Sequence, residues 1–204
     1  MKYSPSDTYI FENNFFEISE SGFWKLAKES EIKASSKVET IYIDSPYFTL
    51  IPNELHSHIP LDEKKRFISN QETNLNYLED KISKYQTIIF WGIDKDILKA
   101  IKKKFPTANL KHFCESIIWS SNFDFKLKYF LGEKCIYIAS FNNKKLVLVN
   151  RYNIENSEDS LYFLLSVIKE SKFINESFTI EHCGIEDKTL VAKIKDIFPN
   201  VEIQ

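Results

Sequence analysis

The sequence predicts an α/β protein of two similar halves, residues 1–116 and 117–204, each a mixed sheet flanked by helices in the order β-β-β-α-β-α-β, with a cleft between them. Three observations lead there. A stretch beginning at Ile88, IIFWGIDKDILKAIKKKFPTANL, returns from Thr179 as TIEHCGIEDKTLVAKIKDIFPNVEI. Upstream of each copy lies a series of short strands followed by a helix. The four glycines of the chain fall as two pairs, Gly22 with Gly132 and Gly92 with Gly184.

In the first half, FFEIS and FWKLAKE flank a turn at Gly22, and VETIYID supplies a third strand. After Pro60 a polar helix is expected from Asp62 to Tyr85, with Phe67, Leu75, Leu78 and Ile82 as its inner stripe. The apolar run Ile88 to Phe90 then enters Gly92. Acidic residues open the next helix near its positive end, Phe105-Pro106 stops it, and NLKHF forms a last strand.

The second half begins with alternating apolar residues from Phe123 to Tyr129 and turns at Gly132. It continues as a strand to Phe141, a tight hairpin at Asn142-Asn143 and a strand to Val149. Asn156 and Ser157 can cap a helix whose Leu161, Leu164, Leu165 and Ile168 recur at helical spacing. A strand from Phe178 to Ile180, a turn at Gly184, a helix stopped by Phe198-Pro199, and the strand VEIQ complete it. Setting Gly92 on Gly184 pairs Asp94 with Glu186, Leu98 with Leu190 and Ala100 with Ala192. One inserted residue then pairs Ile101 with Ile194 and Phe105 with Phe198, on the same helical face.

With 204 residues, 43% of them hydrophobic, the chain can bury a substantial core. No run approaches the roughly 20 apolar residues needed to span a bilayer, and MKYSPSDTYIFENN lacks the apolar segment of a signal peptide. The expectation is a cytoplasmic protein with no membrane insertion. Cys114, Cys135 and Cys183 have no metal-knuckle spacing and read as reduced core thiols. A formal charge of -2 gives no electrostatic pull toward nucleic acid. Lys99 and Lys102 to Lys104 read as a solvated helix face.

A family resemblance enters through SPYFTLIPNEL and, above all, LVLVNRYNIENSEDSLYFLLSVIKES followed by FTIEHCGI. These segments resemble a family of unknown function from Bacteroidetes whose members have an actin-like (ribonuclease H-like) fold. Its wider relatives in fold include actin, FtsA, sugar kinases and PilM. The resemblance implies an actin-like fold over most of the chain and leaves the function open.

Nucleotide-binding members of that superfamily hold phosphates and metal between two Asp-x-Gly hairpins and lay adenosine against a Gly-Gly turn. The matching positions here are eroded. The first hairpin reads Glu17-Ile18-Ser19-Glu20-Ser21-Gly22, the second Leu131-Gly132-Glu133, and the adenosine turn Cys183-Gly184-Ile185. Glu17, Gly22, Gly132, Glu133 and Gly184 are therefore the candidate, degenerate cleft positions. No catalytic residue, metal or cofactor is expected. The resemblance points instead to a scaffold that engages a protein partner, as PilM-like relatives grip a short peptide. The alternative is a nucleotide- or small-molecule-binding protein, a weak ATPase or phosphotransferase, using the cleft. The chain stops at VEIQ without the final helix of the actin plan, so the expectation is either halves less firmly coupled or an apolar surface near the C-terminus open to a partner, a second copy of the chain (a homodimer) included.

Other constellations read as structural. His56-x-His58, beside Asp62 and Glu63, fits surface residues better than a metal site. His112-x-Cys114 lacks further ligands. His182 and Cys183 are strand neighbours that point to opposite faces. Glu17 and Glu20 are too few for a two-metal nuclease. Glu155, Glu158 and Asp159 suit helix capping. Trp24 and Trp91 read as core, as does Trp119, which alternatively lines the cleft or a partner surface.

Overall fold

The computed structural model describes residues 8–11, 14–18 and 24–27 as backbone, and residues 39–69, 74–118, 127–142, 144–171 and 178–204 in full. Gly22, Glu20, Trp119 and Asn143 lie outside the described residues. The chain divides into two compact units, 2–116 and 117–204. Both are mixed α/β.

In the first unit, β1 (Thr8–Phe11), β2 (Asn14–Ile18) and β3 (Trp24–Ala27) form an antiparallel meander. To the β1 side are added β4 (Thr40–Ile43) and β8 (Asn109–His112), both parallel, giving the order β3-β2-β1-β4-β8. Between β4 and β8 the chain builds a second, antiparallel sheet of order β5-β7-β6 from β5 (Phe48–Pro52), β6 (Leu75–Ile82) and β7 (Thr87–Asp94). Two short helices, α1 (Asn53–His56) and α2 (Leu61–Ile68), join β5 to β6. Then α3 (Lys95–Lys104) leads into β8, and α4 (Phe113–Ile118) follows it.

This corrects the expected first half in three ways. TYIF, read as part of a polar N-terminus, is strand β1, so FFEIS and WKLA are the second and third strands of the sheet. The single helix expected from Asp62 to Tyr85 is instead α2, then β6, then one turn of 3₁₀ helix at Ser83–Tyr85. The run ending at Gly92 is a full eight-residue strand in the smaller sheet.

In the second unit, β9 (Leu127–Leu131), β10 (Cys135–Asn142) and β11 (Lys145–Asn153) form an antiparallel meander. Parallel to β9 lies β12 (Thr179–Gly184) and beyond it β13 (Glu202–Ile203), for an order of β11-β10-β9-β12-β13. Helices α5 (Ser157–Glu170) and α6 (Lys188–Ile197) pack on one face. Leu164, Val167, Ile168, Leu190 and Ile194 from the helices meet Leu127, Tyr129, Ile136, Ile138 and Ile180 from the sheet in one buried cluster. Sheet residues at every second position and helix residues at three- and four-residue steps supply that core, as their periods require.

The helices α3 and α6 are each ten residues long. Their N-caps, Asp94 and Asp187, and their C-caps, Phe105 and Phe198, keep one spacing. The inserted residue therefore falls between Gly184 and Asp187, ahead of the helix and not within it. The glycines paired by sequence also differ. Gly92 sits inside β7, where an added Cβ would meet Leu75 Cδ1 at 2.8 Å, whereas Gly184 ends β12 with φ +93° and its Cβ would lie 2.2 Å from the Leu131 carbonyl oxygen. Only the second position needs glycine for its backbone conformation.

Candidate functional site

Three junctions in the second unit converge on one pocket: the β9–β10 turn, the step from β11 into α5, and the step from β12 into α6. Leu131, Gly132, Glu133, Ile154 to Ser157, Ser160 and Ile185 to Lys188 line a volume of about 350 Å³. The local bonding explains its shape. The Gly132 N–H donates to the Cys135 carbonyl (2.9 Å), closing the turn, and the Ile154 N–H donates to Lys134 (2.9 Å), holding the end of β11 beneath it. The left-handed Gly184 redirects β12 so that the Ile185 N–H donates to the Leu131 carbonyl (2.8 Å).

Both helix starts are closed by their own side chains. Asn156 Oδ1 accepts from the Asp159 N–H (3.0 Å) while Asp159 Oδ2 accepts from the Glu155 N–H (2.8 Å), a reciprocal cap. Asp187 Oδ1 accepts from the Leu190 N–H (2.9 Å), and the Ser157 hydroxyl donates to Asp187 Oδ2 (2.9 Å), tying the two helix starts together. The Leu190 N–H and the Ser157 hydroxyl, outweighing partial burial, hold the Asp187 carboxyl below its usual range. The lining thus carries four carboxylates, Glu133, Glu155, Glu186 and Asp187, against one ammonium, Lys188.

Of the expected cleft positions, Gly132 and Glu133 lie in this lining, and Gly184 is adjacent to it through Ile185. Glu17 is placed inside strand β2, its backbone paired with Thr8 and Lys25, and so belongs to no turn. Gly22 lies outside the described residues, in the span between β2 and β3. The connection that matches the Gly132 position in the first sheet, between its first and second strands, lies between Phe11 and Asn14 instead. Sequence reasoning named Asn156 and Ser157 as caps but missed Asp187 and Ser160. The signal for Asp187 was its Asp-x-x-Leu spacing, which matches Asp94-x-x-Ile.

His56, His112, His182, Cys114 and Cys183 are committed to structure, while His58 is exposed. His56 Nε2 lies 2.8 Å from Glu79 Oε1 and 2.7 Å from Lys64 Nζ. His112 is fully buried: its Nδ1 accepts from the Cys114 N–H (3.1 Å), so Nε2 carries the proton and donates to the Ser45 carbonyl (2.9 Å). Burial pushes the Cys114 thiol well up, and pushes Cys183 up to about 11. His182 stacks on Tyr129 and donates from Nε2 to the Ile185 carbonyl (3.0 Å), which leaves it no part in activating Cys183. Among the described residues, no cluster of three or more His, Cys, Asp or Glu could hold a metal ion. None of their helices is long and apolar enough to cross a membrane.

Solved structures that resemble the chain define its class, a mixed α/β protein with an actin-like ATPase fold. One, from Bacteroides thetaiotaomicron, is described as having an actin-like ATPase fold and unknown function. It superposes with a TM-score of 0.74 at 21% identity, covering 97% of this chain and 89% of its own. The cytoplasmic domain of EpsL, an inner membrane component of the type II secretion system of Vibrio cholerae, gives 0.50 at 9% identity over 89% and 82% of the two chains. A chain of the PilM–PilN type IV pilus biogenesis complex gives 0.56 at 8% identity over 97% and 87%. Among curated proteins none matches. The chain belongs to the family described as Protein of unknown function (DUF3822), whose model matches residues 9–201.

Proposed function

We propose that the chain is a non-catalytic scaffold of actin-like fold that binds a protein partner, and that its two units are copies of one plan with degenerate nucleotide-binding elements. Supporting the duplication, each five-stranded sheet is an antiparallel meander with two parallel strands added beside its first strand. In each, the last strand follows a ten-residue helix capped by Asp and Phe. On this reading β4 is the counterpart of β12, and the smaller sheet is an insertion.

One observation carries the functional reading. Four backbone N–H groups at and beside the pocket are already in use: Gly132 by Cys135 and Ile185 by Leu131, and, at the two helix starts, Asp159 by Asn156 and Leu190 by Asp187. Four carboxylates surround them. Anion binding at helix starts relies on free N–H groups and a positive field, and here a side-chain cap occupies an N–H group at each start while the carboxylates oppose the field. That two fold relatives come from a secretion system and a pilus complex favours assembly over turnover.

Isothermal titration of the chain with Mg-ATP and with Mg-ADP tests this. The expected result is no heat and no thermal shift at about millimolar nucleotide, whereas micromolar affinity would overturn the reading. A second copy of the chain is one partner it allows, and light scattering reads that state directly.

A further inference from the structure

We propose that the pocket of the second unit binds an organic cation with several N–H donors, a primary ammonium or guanidinium group, carried on a free polyamine or on a Lys or Arg side chain of a protein. The inference rests on the reading that this pocket has ceased to hold polyphosphate, and it names what it holds instead.

The first observation is an orphaned hydroxyl. Ser160 lines the pocket and is 1% exposed, and its Oγ has no hydrogen-bond partner among the described residues. A hydroxyl sealed from bulk solvent and left unmet destabilises the fold that buries it. What fills the pocket is the group placed to meet it. The second observation is charge. Glu133, Glu155 and Glu186 are exposed and Asp187 is half-buried, all on the lining, with Lys188 as the only opposing charge there.

These features select the ligand. An anion would meet four carboxylates. A divalent metal needs a tight ligand cluster, and among the described residues none is present. A cation with several donors suits both halves of the lining. Ammonium and guanidinium groups donate without accepting, and carboxylates accept without donating. Leu131, Ile154 and Ile185 supply apolar wall for an alkyl stem, as lysine and arginine stems require. Asp187 keeps acceptor capacity beyond the bonds from Leu190 and Ser157, since a carboxylate offers about four lone-pair sites. A volume of about 350 Å³ accommodates a short alkyl chain with its head group.

The test uses the full chain and agmatine, which carries both head groups, with amide shifts followed by NMR alongside calorimetry. A second arm uses a short arginine-containing peptide with blocked ends. Localised shifts at Gly132, Ser157, Ser160 and Ile185 are expected, with affinity falling about tenfold or more in Glu133→Gln/Glu186→Gln and several-fold in Ser160→Ala. The two glutamates are exposed, so that variant keeps its fold. Tighter binding of the peptide assigns the cation to a partner protein, and tighter binding of agmatine assigns it to a free amine. Absence of localised shifts at about 10 mM, or equal affinity in the variants, overturns the proposal. Mg-ATP moving the same amides would overturn this inference and the scaffold reading together. Mg-ATP binding elsewhere, with agmatine still in the pocket, would overturn the scaffold reading alone.

Discussion

Asp80 on β6 is 8% exposed, and its Oδ2 accepts the backbone N–H of His112 at 2.6 Å, joining the smaller sheet of the first unit to strand β8. Burial pushes its carboxyl up to about 6, with Glu115 adding repulsion, while the His112 N–H and the nearby Lys111 oppose the shift. A folded-state pKa raised above the ordinary 3.8 means that the folded protein binds this proton more tightly than the unfolded chain. The stability tied to it is complete below about pH 4 and is lost as pH rises through about 6. A shift of roughly two units corresponds to about 3 kcal/mol. Asp80→Asn keeps an oxygen for the His112 N–H and removes the buried charge. Allowing for a new amide NH₂ to satisfy, the variant should gain about 1–3 kcal/mol at about pH 8 and nothing at about pH 4. Urea unfolding of both proteins across that range measures the difference. A stability difference between the two proteins that is the same at both pH values would refute the reasoning. It would mean that Lys111 and the His112 N–H fully offset the burial.

Two further predictions concern backbone and charge. Gly184→Ala should cost more than about 2 kcal/mol, because its Cβ collides with backbone at a positive φ, whereas Gly92→Ala displaces only the flexible end of Leu75 and should cost about 1 kcal/mol; paired urea midpoints compare them. Lys128 is 2% exposed and sits 3.1 Å from Glu181 Oε1, so Lys128→Met alone should destabilise by a few kcal/mol through a stranded carboxylate. The double variant Lys128→Met/Glu181→Leu should recover most of that loss, and a thermal-unfolding double-mutant cycle reads the coupling.

The second unit was legible because its signals agree with one another. Alternation marks β9, the stripe Leu161, Leu164, Leu165 and Ile168 marks α5, and Asn156 caps it. The first unit misled at particular residues. Leu78 and Ile82 are four apart, a spacing that keeps two side chains together on a strand as well as on a helix. What would have decided for the strand is the buried residue between them on that face, and it is Asp80, a charge where alternation calls for an apolar side chain. Missing the short β1 then shifted the next three strands by one place, so Gly22 was matched to Gly132 although Gly22 falls between the second and third strands of its sheet and Gly132 between the first and second. The pocket was partly visible through Gly132 and Glu133. Asp187 and Ser160 could not be placed in it from spacing, because only the left-handed bend at Gly184 brings α6 beside α5.

The pairing of β4 with β8 has an evolutionary consequence. Ile43 and His112 stand side by side in the main sheet although a whole second sheet intervenes in the chain. The ladder closes without that segment, so its length is under little constraint from the strands on either side. Such a segment can be lengthened, trimmed or rebuilt while the surrounding sheet is inherited unchanged, and members of this family should differ in length most between Leu61 and Leu75, where the chain crosses from β5 to β6.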